Sequence, residues 1–494
     1  MRIAQRSLFW LGLYLIAVTL AFAALPSTTV WEVRPTVGSD TTAGGCFDSA
    51  KSGTDYSQQN SSQYNATDLV LVTTTTATSA SHSFVSADVG NCIHITAGSG
   101  FTAGYYEIIS AASGTATLDR AAGTASSTGG TYSVGGAAAT VSNVNANWTA
   151  SNQVWVKATG SYTVTSALTM TLDSHAAPGI PAAIIGYSST RGDNGQFTWT
   201  TSTNSIDLID FTEADNLVFQ NIIFSSSAGT PGDGLQAKTS GPSQSIYVIN
   251  CKLSGFLVGI EGNFTVNWSF NGLYFINSRA TANTSHGIRN AGVTYVLGSM
   301  LDNNGGDGFN TATSGQTGEQ AHWAFENSVI YKNSANGINV AFSNNGGTVV
   351  NLIVVNYCDI STNTDAGIVM SNVTNPLSLI SNSIFDANGT YGIDSGSTSE
   401  TLPLLLYDNA FYNNTTAATR GVNSGIGTIT LTASPYTTIG SNFALNSTSG
   451  GGAALLNAGF PGTIPGAGTG HASVGALQPI VSGGGGQVGF PIVQ

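Results

Sequence analysis

Apolar side chains along this chain come in short runs, punctuated by clusters of Gly, Ser, Thr and Asn. From Trp31 to about Thr140 the runs LVLV, CIHI, YYEII and ATL read as strands of a small β domain. Farther on the pattern becomes a repeat. A glycine followed by an apolar residue recurs at Gly234-Leu235, Gly259-Ile260, Gly287-Ile288, Gly308-Phe309, Gly337-Ile338, Gly367-Ile368, Gly392-Ile393 and Gly421-Val422, at spacings of 25, 28, 21, 29, 30, 25 and 29. A second marker, Asn with an apolar residue three positions on, appears at Asn221, Asn250, Asn327 and Asn382, with a variant at Asn409. LDNNGGDGF, IYKNSANGI and IFDANGTYGI are nearly interchangeable between the markers. A unit of this size offers two or three short strands and too little apolar surface to bury alone, so neighbouring units must stack at the ~4.8 Å strand spacing. Stacking predicts aligned asparagines bonded as ladders, and glycines where a corner needs positive φ or close approach. A leucine-rich horseshoe would need a fixed Leu pattern and a helix per repeat, which are not seen.

The stretch NQVWVKATGSYTVTSALTM with IIGYSSTRGDNG resembles the opening coils of pectate-lyase-like right-handed β-helices. WEVRPTVGSDTTAGGCFDSAKSGTDYSQQ and FVSADVGNCIHI resemble the leading parts of β-helix proteins of phage particles and environmental bacteria. SNFALNSTSGGGAALLNAGFPG and GHASVGALQP resemble the closing segments of secreted bacterial β-helix proteins. The repeat and these resemblances together predict an all-β chain: a signal peptide over 1–23, a small β-rich domain over 24–145, a right-handed parallel β-helix over 146–435, and a closing segment with a flexible tail over 436–494. The handedness comes from the resemblance. The Arg191-Gly192-Asp193 triple is read as a chance match to an adhesion motif.

Composition narrows the function classes. Only 8% of residues are charged against 41% hydrophobic, and the formal net charge is −13, which excludes a coiled coil and the clustered cations of a nucleic-acid binder. The 61 glycines follow no three-residue period, which excludes collagen. Arg2 and Arg6, the apolar run from Leu8 and the small residues Ala21-Phe22-Ala23 predict export with cleavage after Ala23. Cleavage leaves 11 basic and 26 acidic residues, so nucleic acid, membrane and strongly anionic polymers are not expected partners over most of the surface. Cys46 and Cys92 can pair, whereas Cys251 and Cys358 sit in apolar runs that suit packed thiols.

Aligning the coils on the marker glycine brings chemistry into columns. His286, Asp307, Asn336, Ala366 and Tyr391 precede the glycine, and Arg289, Asn310, Asn339, Val369 and Asp394 follow two residues after it. His286 beside Asp307, with Arg289 on the histidine's coil, is the candidate catalytic trio: a base or acid near neutral pH and a clamp for a carboxylate. Asp302, Asp307, Asp359, Asp365, Asp386 and Asp394 are candidates for the paired acids of a glycosidase. Trp268, Trp323, Tyr331 and Tyr412 are candidate sugar-stacking aromatics. Glu319 and His322 offer two metal ligands, too few for a site, so no metal and no cofactor is expected. The doubled aspartates of polygalacturonases and the calcium-binding aspartates of pectate lyases are not recognisable here. The leading expectation is therefore a non-catalytic extracellular or cell-surface protein that binds polysaccharide or a surface glycan. A pectate-lyase-like lyase or glycoside hydrolase is the alternative. A phage-like appendage is the third, opposed by the signal peptide.

Overall fold

The computed structural model describes residues 30–36, 38, 40, 64–89, 91–146, 152–171, 181–189, 191–212, 214–238, 243–262, 270–290, 292–311, 322–341, 352–371, 378–395, 404–422, 425–439, 442–456 and 458. The expected signal peptide, its cleavage site and the tail beyond 458 lie outside them, as do Cys46, Trp268 and Glu319. Among the described residues the chain winds into three parallel sheets of 11, 10 and 11 strands. Ten successive coils contribute one strand to each sheet, in the chain order first, third, second, and Val30–Val33 and Ile429–Thr430 add an end strand to the first and third sheets respectively. One coil, for example, runs Phe270–Ile276, Arg279–Thr281 and Ile288–Arg289. Alternation along the strands explains the single core: in His322–Glu326 the residues Trp323 and Phe325 turn inward, while His322, Ala324 and Glu326 face out. The architecture is the expected right-handed parallel β-helix.

The amino-terminal β domain is a closed antiparallel barrel of six strands between Tyr64 and Gly135, filled by Leu69, Ile93, Ile95, Ile108, Tyr132 and Val134. It interrupts the solenoid. Val30–Val33 pairs in parallel with Gln153–Val156, so the first solenoid strand precedes the barrel, inside the segment 24–145 that the sequence assigns to the small domain. Buried Glu32 fixes this end by accepting from Arg34 at 2.7 Å, Arg191 at 2.8 Å and the Tyr187 hydroxyl. Arg191 is thus occupied in an ion pair. Asp193 caps its own turn by accepting from the Ser188, Ser189 and Gly195 amides, so the triple is a structural corner.

Two tight corners shape each coil. Between the first and third sheets a residue in the left-handed region turns the chain, at Asn221, Asn250, Asn277, Asn327 and Asn382 among others. The next residue points inside, where Cys251, Ser278, Ser299, Ser328, Cys358 and Ser383 form a column. Backbone amides of this column donate to the next coil's hydroxyl at 3.0–3.2 Å for Cys251, Ser278, Ser299 and Cys358. Cys251 and Cys358 are therefore buried thiols standing in serine positions, and both are free. Cys92 is disulfide-bonded. At the corner after the third sheet the true asparagine ladder runs Asn283, Asn304, Asn333, Asn363, Asn388, Asn414, with each Nδ2 donating to the next Oδ1 at 2.9–3.0 Å. The expected ladder exists, at its longest in this column, while the Asn221 marker column holds a rung of its own in which Asn250 Nδ2 donates to Asn221 Oδ1 at 2.7 Å. The marker glycines then open the second-sheet strands. From Gly234 to Gly392 their φ values are not left-handed, whereas Gly421, with φ of +67°, follows its strand Ala417–Arg420 and Ala418 takes the glycine's place in the column. A Cβ at Gly234, Gly259, Gly287, Gly308, Gly337 or Gly367 would lie 2.4–2.7 Å from the next coil's glycine carbonyl, so close approach is the reason for glycine.

The closing segment folds back along the solenoid's flank. Leu431, Tyr436, Phe443 and Leu455 pack on Met300, Val329, Ile384 and Ala410 of the third sheet's outer face. This packing places Tyr331 and Tyr412 beneath the segment, and Trp323 is inside the core. None of the three is the exposed sugar platform that the sequence suggested, because strand alternation and the closing segment bury their faces. No described helix is long and apolar enough to cross a membrane.

Candidate functional site

The second sheet carries the chemistry. Its strands are two to four residues long, with inward Leu235, Ile260, Ile288, Phe309 and Ile338 leaving one outward residue each. Register aligns these outward residues as Asp210, Gln236, Glu261, Arg289, Asn310, Asn339, Val369, Asp394 and Arg420. The corner just before each strand adds Asp207, Asp233, His286, Asp307 and Asn336 along the same edge.

Contacts tie this row together. Lys238 Nζ lies 2.6 Å from Asp207 and 3.6 Å from Asp210. Asp233 accepts from Gln236 Nε2 at 3.0 Å and from the Val258 amide at 3.0 Å. Arg289 Nε donates to both Glu261 oxygens, at 2.6 and 2.9 Å. At the far end Arg420 forks onto Asp394 at 2.5 and 2.6 Å and lies over the Tyr391 ring.

Three carboxyls in the row are drawn toward neutral pH. Burial pushes Glu261 up to about 8, with Arg289 pulling it down and Asp233 and Asp207 pushing it up. Burial and the Asp207 charge push Asp233 up to about 6. Burial likewise pushes Asp210 up to about 6 against the pull of Lys238. At pH 7 the row therefore holds both protonated and ionised carboxyls, able to donate and accept hydrogen bonds. Gln236 Oε1 within it is buried without a hydrogen-bond partner, and Asp210 Oδ1 has only the Lys238 charge at 3.6 Å. Such atoms are costly unless something binds them.

The raised carboxyls carry a signed prediction. A raised folded pKa means the native chain holds more protons than the unfolded chain between the ordinary carboxyl range and the folded value. Each tenfold fall in proton concentration across that window costs up to ~1.4 kcal/mol per carboxyl. Stability should therefore fall as pH rises from about 4 to 8, by on the order of 3 kcal/mol or more. Melting temperatures measured across that range check this, and Glu261→Gln should flatten the profile between pH 6 and 8.

The trio foreseen from sequence is partly assembled. Ile288 pairs with Phe309, so His286 and Asp307 lie on adjacent coils, and Nδ1 sits 3.5 Å from Asp307 Oδ2. The protonation pattern differs from that of a carboxylate-oriented base. His286 Nδ1 accepts from the Asp307 backbone amide at 3.0 Å, so its proton sits on Nε2. Burial keeps the imidazole below its ordinary pKa, with Asp307 opposing and Arg289 adding to the fall. Asp307 is saturated by amides, accepting from Asn310, Asn336 and Asn339. Arg289 turns away to Glu261. His286 thus offers a neutral N–H donor to the row.

The other acids are dispersed. Asp302 pairs with Arg279 on the third sheet, and Asp359 and Asp386 lie buried beneath the closing segment. The acids that do gather, Asp207, Asp210, Asp233 and Glu261, include two that the same glycine alignment reaches. Extended two coils back, it places Asp233 before Gly234, and Gln236 and Glu261 two residues after their glycines. Asp207 and Asp210 flank Leu208, where the marker glycine is replaced, so no pattern points to them. No group of three or more His, Cys, Asp or Glu among the described residues is placed to hold a metal ion.

No protein-family model matches the chain, and no curated protein sequence matches it. Among solved structures, the crystal structure of pectate lyase Pel9A superposes with a TM-score of 0.53 at 15% identity, over 69% of this chain and 91% of that one. A Geobacillus virus E2 protein, ORF18, matches with a TM-score of 0.36 at 10% identity, over 58% of this chain and 56% of that one. The catalytic domain of a GH87 α-1,3-glucanase in complex with nigerose matches with a TM-score of 0.30 at 12% identity, over 73% and 88%. The Pel9A superposition, the three parallel sheets and the asparagine ladder together give this chain the pectate-lyase-type right-handed parallel β-helix fold.

Proposed function

We propose that the protein is an exported, non-catalytic β-helix protein that binds polysaccharide along the outward face of its second sheet. The observation that carries this reading is the row itself: carboxyls near neutrality, amides and the His286 N–H, running coil after coil with Gln236 Oε1 buried and without a hydrogen-bond partner. A glycan presents alternating hydroxyl donors and acceptors along an extended chain, and such a row complements it without a deep pocket. The pectate lyase likeness supports the carbohydrate class. At one end of the row Asp207, Asp210, Asp233 and Glu261 stand against Lys238 and Arg289, which favours a neutral glycan over a uronate polymer.

One observation supports an alternative, a glycoside hydrolase. Glu261, raised to about 8, is an acid able to give up a proton near neutral pH, and Asp233 is a carboxyl of lower pKa on the preceding coil. Retention on immobilised neutral and uronate polysaccharides, run beside reducing-end release and unsaturated-uronate absorbance, separates the two. The binder predicts retention of a neutral polymer without product. Gln236→Ala should weaken retention about tenfold, the loss expected for one or two buried hydrogen bonds. Product release abolished by Glu261→Gln would establish the hydrolase, and silence in both assays would remove the second sheet from consideration.

A further inference from the structure

The outer face of the third sheet holds a second group of carboxyls that the polysaccharide reading does not use. Register pairs Ser361 with Asp386, and Asp359 lies two residues before Ser361 on the same outward side. The two carboxyls are thus diagonal neighbours with the Ser361 hydroxyl between them. Outward positions on a solenoid ordinarily meet water, but here the closing segment covers them. Asp359 is 1% exposed, and Asp386 and Ser361 are 0% exposed. Tyr436 of the closing segment stands against both carboxyls. Around them lie Met300, Val329, Ile384, Ala410, Leu431 and Phe443, an apolar surround.

Neither oxygen of Asp386 has a hydrogen-bond partner, and neither does Ser361 Oγ. Asp302, outward on the same face, is by contrast forked by Arg279 at 2.8 Å through two nitrogens, and Lys332, at the corner after Tyr331, is exposed. Tyr331 and Tyr412 flank Ser361 and Asp386 in the same column, and Tyr436 is the titratable group contributed from above. A buried carboxylate without a counter-charge is strongly unfavourable. Protonation removes the charge and yet leaves the acid's own O–H without an acceptor, since Asp386 has none. A cation removes the charge and satisfies the oxygens together. The donors are all hard oxygens, of carboxylate, hydroxyl and phenol, the set that suits calcium over softer transition metals.

We propose that Asp359, Asp386 and Ser361, closed over by Tyr436, bind a hard divalent cation of the calcium class, and that this ion fastens the closing segment to the third sheet. Two carboxylates neutralise one divalent ion, and hydroxyl oxygens complete its shell. The site is independent of the second-sheet row, and metal alone is the probe.

The full-length protein, stripped with EDTA and returned to a fixed pH near 7.5, is titrated with calcium chloride while its melting temperature and the proteolytic nicking of the closing segment are followed. Calcium at ~100 times its dissociation constant should raise the melting temperature by about 3 °C or more and slow the nicking. Asp386→Asn, an isosteric change that removes the charge, should fold and lose this response. Ser361→Ala should retain the response at weaker affinity, and it serves if Asp386→Asn does not accumulate. An unchanged melting temperature in the wild type would overturn the proposal, as would an equal calcium shift in Asp386→Asn. Stabilisation by acid alone with no calcium response would assign the carboxyls to protons and overturn it equally.

Discussion

Gly308→Ala is expected to destabilise the solenoid by about 3 kcal/mol or more, enough to lower its melting temperature by several degrees or to prevent accumulation. The added Cβ would stand 2.7 Å from the Gly337 carbonyl oxygen, 2.9 Å from Asn333 Nδ2 and 3.0 Å from Ile330 Cγ2. The carbonyl belongs to the next coil's backbone and Asn333 to the ladder, so neither can retreat without separating two coils. Separation breaks the inter-coil bonds on both sides of the glycine, Gly308 N to Asn336 O and Phe309 N to Gly337 O. In a solenoid each coil is held only by its neighbours, so a local gap weakens everything stacked beyond it. Gly192→Ala supplies the control. Gly192 has φ of +88° and nothing within 4 Å of its Cβ position, so its substitution carries only the conformational cost, ~1 kcal/mol. Denaturant unfolding of the two variants decides the matter: equal losses would mean that close approach does not explain the glycine column.

That column was the most legible feature of the sequence because seven successive coils, from Gly234 to Gly392, satisfy the same steric demand at the same place. The ladder is legible too, once its spacing is noticed. Asn283, Asn304, Asn333, Asn363 and Asn388 each stand four residues before a marker glycine, at Gly287, Gly308, Gly337, Gly367 and Gly392. The more visible marker, Asn221 and Asn250, draws attention to the other corner, where the asparagine supplies positive φ. Other residues take that conformation at equivalent corners, Tyr357 and Asp408 among them, so the pattern there is looser. Local chemistry fixes these positions, and a local pattern records it. The adjacency of His286 and Asp307 was legible for the same reason. Their proton arrangement was not, since it depends on one backbone amide meeting Nδ1 across two coils. Nor was the burial of Asp359 and Asp386, because Tyr436 and the segment around it, far later in the chain, fold back to cover them. Likewise Trp323 reads as a candidate platform until strand alternation is known to turn it inward.

Asn304→Ala carries the other large expected effect, a loss of about 4 kcal/mol, the sum of its stranded partners and the space it vacates. Asn304 is fully buried and makes its bonds in both directions. Its Oδ1 accepts from the Asn283 backbone amide at 3.2 Å and from Asn283 Nδ2 at 3.0 Å. Its Nδ2 donates to Asn333 Oδ1 at 2.9 Å and to the Ala280 carbonyl at 3.2 Å. Truncation leaves the Asn283 backbone and side-chain amide donors buried without their partner, each at ~1–3 kcal/mol, and adds a small cavity. Asn414→Ala, at the ladder's end and half-buried, strands only the Asn388 donors next to solvent and should lose roughly 1 kcal/mol. Asn304→Asp separates bonding from packing. A carboxylate of the same shape can still accept from Asn283, but it faces the Asn333 and Ala280 oxygens with no donor, so it should be as damaging as alanine near neutral pH and recover in acid as the side chain gains a proton. If Asn304→Asp is instead tolerated at pH 7, the ladder contributes by filling space and not by its bonds. The consequence reaches the second-sheet row. Asn304 stands three residues before Asp307, on the corner that aims the strand Phe309–Asn310 outward, so weakening it should loosen the His286 and Asp307 edge before the distant Lys238 end. Polysaccharide retention by Asn304→Ala, measured at a temperature where the variant remains folded, should then fall, whereas Asn414→Ala should retain it; equal retention would mean that the row is held by its own ion pairs and not by the ladder beneath it.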